Sequence, residues 1–114
     1  MENDLISEIM NRSKQLDISI RQLRKSAEDY ATAYTDYRIA LAKELISLKE
    51  EGYAITLAGD IARGKPSIAK LKFDEITKEA VYKANQEAIQ AIKLQIRLLD
   101  SQISREWHSG GENL

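Results

Sequence analysis

Apolar residues return every three or four positions from Leu16 onward: Leu16, Ile20, Leu23, Ala27, Tyr30, Tyr34, Tyr37 and Leu41. Spacings that alternate between four and three are a heptad seam, the signature of a long helix that packs along one stripe. Beyond Leu41 the seam continues through Leu45 and Leu48 to Gly52, a residue suited to ending a helix. The pattern therefore predicts a first long helix over about 16–51. Ahead of it, Leu5, Ile6, Ile9 and Met10 predict a helical start over 2–13, with Asn3 or Asp4 as its cap. A second seam runs through Ile89, Ile92, Ile96, Leu99 and Ile103, extended upstream less regularly by Ile68, Leu71, Ile76 and Ala80. It predicts a second long helix over about 66–107, with Pro66 in its first turn, where a missing N–H costs nothing. Asn85 falls on this seam, either as a polar residue that fixes register or as an exposed residue at the helix edge.

Residues 53–65 form the connection. Tyr53, Ala54 and Ile55 read as extended, Thr56 as the cap of a brief helix over 57–63, and Gly64 as its stop. Residues 108–114 read as a flexible tail. The expected architecture is all-α: two long helices in an antiparallel coiled-coil hairpin, joined by a short helical connection, in one domain over 1–107.

Two apolar sets lie off the seams. Ile39, Ala42 and Ile46 share one face of the first helix, and Ala91, Leu94 and Leu98 share one face of the second. An isolated hairpin leaves such stripes in water, so they predict a partner surface. The N-terminal helix folding back would cover them, as would a second copy of the chain. A thin helical hairpin has much surface for its volume, which favours self-association into a helical bundle.

Composition adds limits. Of 114 residues, 43% are hydrophobic but only 6% aromatic, which suits a thin helical core over a bulky one. The absence of Cys excludes disulfides and thiolate metal sites. No apolar run has the length of a membrane span and no leader pattern is present, so a cytoplasmic protein is expected. The net charge of −1 confines any nucleic-acid role to a local basic patch.

One stretch invites a chemical reading. Residues 59–65 fit G-x-x-x-x-G-K, the phosphate-loop pattern. Pro66 stands where the magnesium-binding hydroxyl belongs, Ser67 comes one position late, and the preceding segment 52–57 is too short for a central strand, so nucleotide hydrolysis is not expected. Arg63, Lys65, Lys70 and Lys72 nevertheless gather near a helix start, and cations beside helix N-termini attract anions. They are the candidate residues for a phosphate-bearing ligand, either a nucleotide signal of antiviral defence or nucleic acid. The solvated basic turn is the competing reading. Residues 56–71 also resemble a helix-turn-helix, which would make the chain a small DNA-binding regulator, although only Arg63 separates the Ile61-Ala62 pair from the turn Gly64.

No nucleophile–base pair is recognisable, His108 is the sole histidine, and the adjacent acidic pairs Glu50-Glu51 and Asp74-Glu75 read as solvated faces. Neither catalysis, a metal nor a cofactor is expected. The tyrosines at seam spacing read as core.

A family resemblance rests on several runs. These are Tyr34-x-x-Tyr37-Arg-x-Ala-x-Ala-Lys-Glu-Leu45, Leu48-Lys-Glu-Glu-Gly52, Ala62-Arg-Gly64, Glu79-Ala-Val-Tyr82-Lys-Ala-Asn-Gln-Glu-Ala88 and Ile92-Lys-x-Gln-Ile96. Over about 16–107 the chain resembles small early or accessory proteins of phages and prophages of low-GC Gram-positive bacteria. The resemblance implies a viral setting inside a bacterial cell and transfers no catalytic residue. The expected function is stoichiometric binding to a host or viral protein of replication, recombination or defence.

Overall fold

The computed structural model describes residues 2–112 and is all-helical over them. Helix α1 spans Glu2–Glu50, α2 spans Ile55–Gly64 and α3 spans Pro66–Glu112. No glycine or proline interrupts the first 49 residues of helix, so nothing forces a break between the predicted N-terminal segment and the first long helix. The segment 2–13 is therefore the beginning of α1 and not a separate helix. At the other end α3 continues through His108 to Glu112, residues set apart above as a tail; 113–114 lie outside the described residues.

The chain divides into two compact units, Met1–Arg24 with Ala84–Leu114, and Lys25–Lys83. In the second unit the core comprises Tyr37, Leu41 and Leu48 of α1, Ala58 and Ala62 of α2, and Ile68 of α3. Ala62 has no exposed surface and Ala58 only 2%. Small side chains on α2 thus let it sit close to both neighbours. Tyr30 faces Tyr82 with ring centroids 6.1 Å apart, Lys72 lies over the Tyr37 ring, and Lys65 meets Glu44. Residue numbers rise along α1 as they fall along α3, so the two segments run antiparallel within this unit.

In the first unit Ile89 and Ile92 are buried, while Leu16, Ile20 and Leu23 of α1 and Ile96, Leu99 and Ile103 of α3 are half-buried. Two helices alone cannot enclose a side chain completely. Asn85 is half-buried here, and its Nδ2 donates to the Gln22 carbonyl at 3.4 Å.

Of the predicted α1 seam, Leu16, Ile20, Leu23, Ala27 and Tyr30 are half-buried and Tyr37 and Leu41 buried, while Tyr34 alone faces outward. A further covered column beside it recurs at 19, 26, 33 and 40. Ser26 is buried and Ala33 half-buried, whereas Tyr34 is 46% exposed. The small column Ser19, Ser26, Ala33, Ala40 allows close approach, and the large column Leu16, Leu23, Tyr30, Tyr37 fills the space beside it. On α3, Ile76 and Ala80 face outward, with Ile76 at 55% exposure, while Glu75 and Glu79 take the covered positions.

The α1–α2 junction has a defined chemistry. The Gly52 N–H donates to Lys49 O at 3.0 Å and the Tyr53 N–H to Leu48 O at 3.2 Å. This pair of bonds is a Schellman cap, and it requires the φ of +99° that Gly52 supplies. Helix α2 begins at Ile55 with Ala54 as its N-cap and no side-chain cap, so Thr56 lies inside the helix.

Candidate functional site

The residues of the phosphate-loop pattern are not a loop. Gly59 through Gly64 belong to α2, so their backbone donors serve a helix and cannot wrap a phosphate. Lys65 alone separates α2 from α3, in extended conformation with φ −64° and ψ 128°. Its N–H donates to Ala62 O, and its carbonyl accepts the N–H groups of Ile68 at 3.0 Å and Ala69 at 2.8 Å. A helix N-terminus offers its first four N–H groups to an anion. Here Pro66 has none, and those of Ile68 and Ala69 are already engaged.

The four candidate cations are close in sequence but each has its own surroundings. Arg63 pairs with Asp60 at 3.7 Å. Lys65 donates to Glu44 at 2.9 Å and ties the α2–α3 junction to α1. Lys72 donates to Glu75 at 3.0 Å and stands 4.9 Å from the Tyr37 ring centroid. Its pKa is raised, first by the hydrogen bond to Glu75. Lys70 is exposed and has no ion-pair partner among the described residues. An anion arriving at this turn competes with Asp60, Glu44 and Glu75 for three of the four.

Glu75 belongs to a polar seam that the acidic-pair reading missed. Only 5% of it is exposed, and Lys72 supplies its counter-charge. The heptad column of Tyr82, Ile89, Ile96 and Ile103, continued one step upstream, lands on Glu75. One turn on, Glu79 accepts from Lys83 at 2.7 Å and from the Tyr30 hydroxyl. The Lys83 bond contributes most to lowering the Glu79 pKa and to raising that of Lys83. Tyr30 is raised by desolvation first and by Glu79 second. These groups brace one another along the edge of the helix pair. Among the described residues no group of three or more His, Cys, Asp or Glu side chains has the placement to hold a metal ion.

The off-seam apolar residues are exposed. Ile39 is 50% exposed, Ile46 60%, Leu94 50% and Leu98 61%, and Ala42 and Ala91 are exposed beside them. In the second unit a groove of about 220 Å³ between Leu45, Ile46, Lys49, Ile55 and Ala58 continues the Ile39–Ile46 stripe onto α2. Ile55 and Phe73, each more than half exposed, were not singled out from the sequence. Neither belongs to a run of heptad spacing long enough to show which way it faces. Among the described residues no helix is long and apolar enough to cross a membrane. Compared with protein-family models, with curated proteins and with solved structures, the chain matches none.

Proposed function

We propose that this chain is a non-enzymatic helical protein of phage type that acts by stoichiometric binding in the cytoplasm of a bacterial host. In this reading α1 and α3 form an antiparallel coiled-coil hairpin that self-associates into a helical bundle. The assembly then engages a host or viral protein of replication, recombination or defence. The observation that carries the proposal is the exposure of Ile39, Ile46, Leu94 and Leu98 at helical spacing. Apolar stripes left in water favour association. The α1 geometry adds support, because residues 2–13 continue α1 and no separate N-terminal helix is left to fold over the stripes.

The turn reading, in which Arg63, Lys65, Lys70 and Lys72 hold a phosphate-bearing ligand, draws less support, since an anion must displace existing carboxylate partners there. The test is cross-linking in producing cells with the intact chain, with Ile39→Glu/Ile46→Glu and with Arg63→Ala/Lys70→Ala. A partner protein retained by the turn variant and lost with the stripe variant supports the reading. Loss with the turn variant alone contradicts it.

A further inference from the structure

On α3 the residues Ala84, Ala88, Ala91, Leu94 and Leu98 are all exposed, in steps of four, three, three and four. Those steps average 3.5 residues, so the five lie along one stripe, about 21 Å long at 1.5 Å per residue. The order of steps is the same from either end, with Ala91 at its centre. Small residues occupy the N-terminal half and leucines the C-terminal half.

A two-fold axis perpendicular to the helix at Ala91 uses this asymmetry. It lays Leu98 of one copy beside Ala84 of the other and Leu94 beside Ala88. Each leucine then enters the space that an alanine leaves, twice by symmetry. The charges agree with that direction. Glu87 and Arg97 are exposed on the same flank of the stripe, and neither has an ion-pair partner among the described residues. In the antiparallel arrangement Glu87 of one copy stands about two residues, roughly 3 Å along the axis, from Arg97 of the other. A parallel arrangement puts Glu87 level with Glu87 on opposite flanks and loses the match.

We infer that the 84–98 face of α3 is an antiparallel two-fold interface with a second copy of this chain, closed by reciprocal Glu87–Arg97 pairs. The inference rests on the self-association proposed above and names the surface and direction it uses.

Sedimentation equilibrium of the full chain provides the test, with Glu87→Arg, Arg97→Glu, the double exchange and Ala91→Cys. All three positions are exposed, and circular dichroism checks that helicity is kept. Each single reversal is expected to weaken the dimer by roughly three- to tenfold, because two exposed pairs turn repulsive. The double exchange is expected to restore it to within about twofold. The natural chain lacks cysteine, so oxidised Ala91→Cys forms a covalent dimer at the axis, and Ala42→Cys on α1 does not. If the double exchange behaves like the single reversals, or Ala42→Cys links while Ala91→Cys does not, this interface is overturned and self-association stands through another face. A natural chain that stays monomeric at every concentration overturns both.

Discussion

Gly52 and Gly59 illustrate opposite uses of the same residue. At Gly52 a Cβ would meet no atom within 4 Å, yet the backbone sits at φ +99°. The conformation alone makes glycine necessary, and Gly52→Ala is expected to lower stability by about 1–2 kcal/mol in urea unfolding. At Gly59 the backbone is helical, and a Cβ would meet only the mobile guanidinium of Arg63, at 3.1 Å. No backbone or core atom crowds this position, so Gly59→Ala is expected to stabilise by up to about 1 kcal/mol. The Tyr30–Glu79–Lys83 group sets a pH window. Glu79 titrates below the usual carboxylate range, so its contribution is present at neutral pH and lost as the pH falls through its lowered pKa. Lys83, Lys72 and Tyr30 titrate above their usual values, so their contributions hold at neutral pH and fade as the pH rises through them. Urea midpoints across pH are expected to be flat near neutrality and to fall on both sides, with Glu79→Gln flattening part of the acid limb. Glu75 was legible in principle from the heptad column it continues, but adjacent acidic residues read first as surface.

Helix α2 shows how a short element is held by size and not by chemistry. It has no side-chain cap, and its attachments are Ala58, Ala62 and the Lys65–Glu44 pair at its end. Ala62→Leu adds bulk where no exposed surface remains and is expected to cost about 1–3 kcal/mol. Lys65→Ala removes a pair whose lysine is half exposed and is expected to cost at most about 1 kcal/mol. Thermal unfolding of the two variants separates these sizes. The helices themselves were legible from glycine placement, proline placement and heptad spacing. Of the α1 seam only Tyr34 was misplaced, because Tyr34 and Ala33 compete for one inward position and hydrophobicity alone favours the tyrosine. The column of Ser19, Ser26, Ala33 and Ala40 is set by how closely the partner helix approaches, which a single helix pattern does not encode.

At the scale of the molecule, the stripes through Ile39 and Ile46 and through Leu94 and Leu98 were legible because they break the seam's period. Their exposure follows from seams that already occupy the facing sides of the helices. The phosphate-loop pattern was set aside for want of its structural context, and the fold gives the reason in full: G-x-x-x-x-G-K specifies residues but not a loop, and here Ala58, Gly59 and Ala62 form the inner face of a helix. The proposed binding function rests on the outer apolar faces, whereas Arg63, Lys65 and Lys72 have internal partners. Native mass spectrometry of the full chain purified from its producing cells tests this most directly, because subunit number and retained mass are read together. A discrete homo-oligomer that carries no small molecule or nucleic acid, alone or with a protein partner, is expected. A monomer at every concentration, or an oligomer carrying phosphate-rich mass that Arg63→Ala/Lys70→Ala removes, would contradict it.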